Sequence, residues 1–478
     1  MVLNAAAAVV SYFRAEGDRA WPGFDLSRRP FVLYDAGRWA AVINAPASLA
    51  GFEPWPDGWP TLGTPGLLHR GAIEGLVGQL AFDYDLAGIR TVAVPVVPAA
   101  SAGTEDLTIT QFAFIVHEAF HQYQQERFDD TDSPSEEGYP LLDVRNNALA
   151  TLEMQALLQA VDAREDTARS RRELASFKAL RAARAGRLDS ATRELERIKE
   201  RLEGTAKYVE VQAVAGLVAE CRRVPGRWCL PLAGVTDVSY LRKDFASRLQ
   251  NGAIDPEDMP RNRIYPVGAA LGLLLDGTHP GWKAEAEQQR SYSLAAVLTG
   301  DVPTGADQLT AAMRRLDYVA AEHAARERAE VFRKAFATAL AAFEAQGGLR
   351  LEVVLPNSGL TRSRSSTGRR WIMDRGATVL GERYTSYVLR SADGARAVQV
   401  RQAAVLELRP AGSTSRTIVC YVPAVDSLML DGIPDRVVDG SRRFERLALR
   451  GSNVTLELVG PGLLRSAGNR TRVALVPR

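Results

Sequence analysis

The 478-residue chain holds five histidines, and two of them, His117 and His121, stand four apart in "FIVHEAFHQYQQ", with Glu118 directly after the first. On an α-helix, residues i and i+4 share a face. Both imidazoles can then address one atom, while Glu118, one step round the helix, reaches the same edge without displacing either. Zinc chemistry uses this geometry: two neutral imidazoles bind the ion, and the carboxylate acts on a water rather than on the metal. Phe112, Phe114, Ile115, Val116, Ala119 and Phe120 make the segment strongly apolar. Two histidines and a glutamate buried there are costly unless something partners them, and a metal supplies that partner.

A zinc site needs a third protein ligand. The residues after His121, "QYQQERF", lack the Gly and the third His that the metzincin pattern requires. His69, His279 and His323 lie in unrelated contexts and are expected to be ordinary residues. A carboxylate from a later helix is therefore the expected third ligand, and two compete. Glu153, in "ALATLEMQALLQ", has Leu149, Ala150, Ala156 and Leu157 as its helical neighbours. Its charge must be met by a metal, a cation or a proton. Glu203, in "RLEGTAKYVEVQA", has Lys199, Glu200 and Lys207 around it.

With H-E-x-x-H upstream, this second stretch resembles the gluzincin metallopeptidases, whose third ligand commonly lies in a segment of the form E-G-x-A-x-Y. Glu203, Gly204, Ala206 and Tyr208 match that form. The resemblance spans about residues 108–285 and implies zinc held by His117, His121 and Glu203. Glu153 is then an alternative third ligand, or a group that orients a ligand histidine. Many gluzincins place the glutamate soon after the second histidine; here a charged hairpin intervenes as an insertion. Glycine in a helix costs about 1 kcal/mol relative to alanine. Gly204 is tolerable if Glu203's helix must come close to the H-E-x-x-H helix.

The resemblance further implies hydrolysis of peptide bonds, with Glu118 as general base and a peptide or protein as substrate. Related peptidases often use a Tyr or His from a later helix to stabilise the oxyanion. Tyr265, in "RIYPVGAALG" at the start of an apolar helix, is the candidate, with Tyr208 and Tyr240 behind it. The competing expectation is a metal-binding scaffold without catalysis, whose β region serves for interaction.

These side chains have to be carried by a helical region, and residues 105–346 read as one. Helices are expected over 108–128 and 142–163, then a charged, solvent-facing helical hairpin over 164–190. A long helix capped by Asp189 or Ser190 runs to about Arg223, another starts after Pro266, and one or two more lie within 305–346. Residues 1–104 read as a small α/β region. "PFVLYD" and "RWAAVINAP" form strands around the turn "DAGR", "GAIEGLVGQLAFDYDLAG" a short helix, and "TVAVPVVPAA" a strand at a sheet edge. From 347 to 478, short β-branched alternating runs such as "LRLEVVLP" and "NVTLELVG" predict an antiparallel, sandwich-like or barrel domain. The fold class is multidomain α+β.

Composition narrows the rest. Apolar residues make up 46%, charged residues 24%, and the net charge is +2. Nothing global argues for nucleic acid. No stretch reaches the roughly 20 apolar residues of a membrane span. "MVLNAAAAVVSYFRAEG" lacks a basic leader and reads as a surface helix rather than a signal peptide. Three cysteines, Cys221, Cys229 and Cys420, are too sparse for a disulfide framework; Cys221 and Cys229 could pair, but reduced thiols are the simpler expectation, and with neither a signal peptide nor a membrane span read, a cytoplasmic protein is expected. "GLVGQ" and "GAALG" have no phosphate-loop context, and "SGLTRSRSSTGRR" reads as an exposed basic loop.

Overall fold

A computed structural model describes residues 2–35, 37–46, 48–57, 59–73, 76, 84–86, 88–96, 107–132, 134–223, 235–249, 252–357, 359–366, 368–409 and 413–475. The chain forms two compact units, Met1–Glu136 with Leu142–Arg328, and Glu137–Leu141 with Ala329–Arg478. Helices and two sheets make this an α+β protein.

The first unit begins with α1 (Val2–Glu16). It is a helix as expected but not a surface one: Ala5, Ala6, Ala8, Val9 and Val10 are fully buried. The following sheet has strands β1 (Phe31–Asp35), β2 (Trp39–Ile43), β3 (Glu53–Pro54), β4 (Gly66–Arg70), β5 (Tyr84–Leu86) and β6 (Ile89–Pro95), in the order β3-β4-β2-β1-β6-β5. β1 and β2 pair antiparallel with Phe31 opposite Ile43. β6 is not an edge strand: it lies between β1, which it joins in parallel, and β5. Of the helix expected in "GAIEGLVGQLAFDYDLAG", Tyr84–Leu86 is strand β5, and most of the remainder lies outside the described residues.

The helices are α2 (Leu107–Arg127), α3 (Val144–Asp162), α4 (Thr167–Ala185), α5 (Ser190–Arg223), α6 (Asp237–Arg248), α7 (Ile264–Thr278), α8 (Trp282–Gln288), α9 (Leu294–Thr299), α10 (Ala306–Arg315) and α11 (Tyr318–Glu344). Carboxylates start three of them. Asp143 accepts from the Asn146 N–H and Asp166 from the Arg169 N–H. Asp189 accepts from the Thr192 N–H at 2.8 Å. Each satisfies an amide that has no partner within its helix. α7 begins two residues before Pro266 rather than after it. A proline fits there because first-turn amides have no intrahelical acceptor to lose.

α2 packs against α1 and α5, α5 against α7, and α3 against α4. The charged hairpin is not a solvent-facing appendage: Leu174, Phe177, Leu180 and Arg184 of α4 are buried. Gly204 marks the closest crossing, but its partner differs from the expected one. A Cβ on Gly204 would sit 2.6 Å from the Cα of Gly268, so the missing side chain lets α5 meet α7, not α2.

The second unit carries β7 (Leu349–Pro356), β8 (Leu360–Ser366), β9 (Arg370–Met373), β10 (Thr378–Ser391), β11 (Arg396–Leu408), β12 (Ser415–Val422), β13 (Val425–Leu430), β14 (Ile433–Asp435), β15 (Gly440–Gly451), β16 (Val454–Ala467) and β17 (Arg470–Leu475). Pairing runs from β11 to β12, β7, β17, β16 and back to β11, a closed ring whose one parallel pair is β7–β17. Alternate residues of β7 (Leu351, Val353, Leu355) point into a core shared with Leu389, Val398 and Leu456, as the period of two requires. The stretch expected as a basic loop is mostly strand β8, and its Arg362 and Arg364 are bound at 2.7 Å to the buried carboxylate of Glu137. Cys420 is a free, buried thiol. Cys221 is disulfide-bonded, which corrects the expectation of reduced cysteines; its partner lies outside the described residues. No helix among the described residues is long and apolar enough to cross a membrane.

Candidate metal centre

His117 and His121 lie on α2 as the i,i+4 spacing requires, and Glu203 approaches from α5. Their donor atoms converge. His117 Nε2 and His121 Nε2 are 3.2 Å apart, and Glu203 Oε2 lies 3.1 Å from the second and 3.7 Å from the first.

The outer nitrogen of each ring explains why the inner ones point together. His117 Nδ1 lies 3.1 Å from Glu210 Oε2. A carboxylate there only accepts, so Nδ1 carries a hydrogen, and in the neutral ring it is Nε2 that keeps the lone pair. His121 Nδ1 lies 2.8 Å from Gln124 Oε1. The amide is oriented by its own donors, because Gln124 Nε2 donates to Leu202 O at 2.8 Å and to Thr205 Oγ1 at 2.9 Å. Its oxygen therefore faces the histidine, and again the free lone pair is on Nε2. Glu210 is itself held by Lys207 Nζ at 2.6 Å and the Tyr240 hydroxyl at 2.8 Å, both on Oε1. This is the arrangement in which outer partners fix the tautomer and aim of metal-binding histidines.

Sequence reasoning did not find Glu210 or Gln124 as site residues. Both carried a signal: Gln124 follows His121 by three, and Glu210 follows Glu203 by seven, the spacings that keep residues on one helix face.

The residues fit a metal. Glu203 Oε2 is buried and accepts no hydrogen bond among the described residues. Three atoms bonded to one tetrahedral zinc at its usual bond lengths would stand about 3.3–3.6 Å apart, and the observed separations bracket that range. Charge gives a second reason. Burial disfavours an imidazolium at His117, yet Glu203 and Glu210 outweigh it and raise its pKa to about 10. The two carboxylates, Glu210 buried and Glu203 half-buried, thus draw positive charge to this point, as a proton when nothing else provides it. His117, His121 and Glu203 could hold a metal ion. No family model, curated protein or solved structure matches this chain.

A cavity of about 470 Å³ opens beside the cluster, with His117, Glu118, Tyr240, Asp244, Arg248 and Tyr265 on its wall. Glu118 is half-buried there and makes no hydrogen bond or ion pair among the described residues. The Tyr265 ring stacks on His117, 5.5 Å between centroids and 14° between planes. Burial, then the Glu203 carboxylate, raises its phenol well above the usual range, so the hydroxyl stays protonated.

Glu153 is neither ligand nor partner of a ligand. It is fully buried, and Arg181 and Arg184 neutralise it: Arg184 Nε donates to its Oε2 at 2.7 Å, and Arg181 Nε to its Oε1 at 2.8 Å. Its apolar helical neighbours implied a buried charge, and the required cation comes from the hairpin. Tyr208 donates to Asp276 at 2.8 Å and packs on Trp282, away from the cluster. His69 meets Gly51 O at 2.8 Å, His279 meets Glu285 at 2.8 Å, and His323 is exposed.

Proposed function

We propose that this chain is a zinc-dependent hydrolase of gluzincin type that cleaves peptide bonds, with His117, His121 and Glu203 as the protein ligands. One observation carries the reading: three lone-pair donors on two helices converge at zinc-like spacing, beside a cavity whose wall holds an unpartnered carboxylate. A bound zinc ion would supply Lewis acidity toward a substrate carbonyl and a lowered pKa for a water at its open position. Glu118 accepts the proton of the attacking water and delivers it to the departing amine nitrogen. Tyr265, protonated and on the same wall, donates toward the oxygen on which negative charge develops. Glu210 and Gln124 hold the two imidazoles in the tautomers that leave Nε2 free. The substrate is a peptide or protein. A cytoplasmic location loses its support from the cysteines, since Cys221 is disulfide-bonded.

The test is direct. Purified protein is expected to bind about one zinc per chain, and His117→Ala close to none. Glu118→Gln should keep the metal and lose about 10²–10⁴ in the rate of peptide cleavage. Equal, near-zero zinc in wild type and His117→Ala, or cleavage unaffected by Glu118→Gln, overturns the reading. Zinc with no cleavage in the wild type gives the alternative, a metal-binding scaffold that lacks catalysis.

A further inference from the structure

The opening of the β ring holds a guanidinium with no hydrogen bond or ion pair among the described residues. On one edge, β16 pairs first with β11, over Val454–Leu458, and then with β17, over Gly462–Ala467. The changeover falls at residues 459–461, where Gly460 has a φ of +128° and Pro461 has no N–H to offer a ladder. The start of β11, the ends of β7 and β17 and the start of β12 therefore surround a cavity of about 450 Å³. Val354, Leu355, Pro356, Val459, Pro461 and Leu475 make about half of its wall apolar.

Arg396 lines this cavity. Its backbone N–H donates to Ser391 Oγ at 3.0 Å, but its guanidinium has no hydrogen bond or ion pair among the described residues, and its Nε is buried. Asp393 is on the same wall, yet its Oδ1 already accepts from Ser391 Oγ and the Ala395 N–H, and the side chain is exposed to water. Other arginines of this unit have carboxylates: Arg362, Arg364 and Arg409 reach Glu137, each at 2.7 Å, and Arg416 reaches Glu407 at 3.2 Å. A cation in a partly apolar wall costs free energy unless it is paired, and of these five Arg396 alone has no ion pair among the described residues; Asp393, which it acts on through space, stays exposed to water.

We propose that the opening binds a carboxylate carried on a small apolar body. Arg396 takes the carboxylate through its planar fork, and the aliphatic wall takes the apolar part. The volume lies in the range of small-ligand sites. The regional charge agrees: residues 347–478 hold 21 Arg, no Lys and 11 Asp or Glu, a net +10, against −8 for the rest of the chain, and such a field draws anions. Two sources carry this chemistry, the C-terminal residue of a peptide ending in an apolar side chain and a free branched carboxylic acid.

Calorimetric titration of the full chain separates them, using acetyl-Gly-Leu with a free carboxylate, the same peptide as its C-terminal amide, and 4-methylpentanoate. The free acid peptide should bind about tenfold or more tighter than the amide, and Arg396→Gln should remove that difference while Arg396→Lys restores part of it. If 4-methylpentanoate binds as well as the peptide acid, the free acid is the source; if it binds much more weakly, the peptide terminus is. Equal binding of acid and amide by the wild type overturns the proposal, as does the absence of binding by either acid up to about 10 mM. His117→Ala should leave these affinities unchanged, which keeps this proposal separate from the fate of the zinc reading.

Discussion

One helix, α5, buries two groups of carboxylates and treats them differently. Toward its start, Glu196 and Glu200 join Glu153 against Arg181, Arg184 and Arg263, with Arg184 bridging to Glu196 at 2.6 Å and Arg181 to Glu200 at 2.6 Å. One turn on, Glu203 and Glu210 face imidazoles instead. Arginine is a permanent cation that cannot give up its proton, so the first group sets three guanidiniums against three carboxylates and offers no lone pair on its cations. An imidazole can offer a lone pair, so the second group leaves a point where three donors meet and a buried oxygen accepts nothing. The difference teaches that burial of acids alone does not mark a site; the kind of partner does.

Breaking each group should therefore give opposite phenotypes. The largest effect is expected for His121→Ala, which should abolish stoichiometric zinc while the metal-free protein melts near the wild-type temperature; paired zinc analysis and calorimetry check this. Arg184→Ala should do the reverse, keeping zinc but losing about 3–5 kcal/mol of stability, because it strands buried carboxylates. A further arginine-closed acid, Glu137, extends the comparison to the β unit. Burial raises its pKa, but Arg362, Arg364 and Arg409 prevail and bring it down to about 2. Its unfolded value is about 4.3, so its contribution is complete above that pH and disappears as pH falls toward 2. Denaturation across this window should show a loss of about 3 kcal/mol that Glu137→Gln flattens. The smallest effect is expected for Glu210→Gln, which loosens the hold on His117 and should weaken zinc binding about 10–100-fold, measured by competition with a chelator.

The polar spacing on α5 also shows why the site was only half legible in the sequence. Glu196, Glu200, Glu203, Lys207 and Glu210 recur at intervals of three and four. Such a charged stripe ordinarily reads as a solvated face, so Glu203 looked less buried than Glu153. Glu203 is indeed the less buried of the two, but Glu196, Glu200 and Glu210 of the stripe are buried under cross-helix partners that no local pattern reveals. On α2, by contrast, the i,i+4 spacing alone places both histidines and Glu118, because they share one helix and short-range geometry decides their placement. The start of α5 followed from the cap at Asp189. The burial of α1, the closing of the β strands into a ring and the pairing of Glu153 with α4 depended on long-range packing.

The glycine crossing of α5 and α7 has a mechanical consequence. Glu203 adjoins Gly204, and Tyr265 stands three residues before Gly268, so a candidate ligand and the candidate oxyanion donor are both mounted within a turn of the same backbone contact. Backbone touching backbone has no side chain to rotate out of the way, and at about 1.5 Å of rise per residue the lever arms are short. The crossing works as a datum: carboxylate and phenol keep their mutual distance while outer parts of either helix flex. Gly204→Ala would push that reference point out of place and shift both groups at once, although neither is altered.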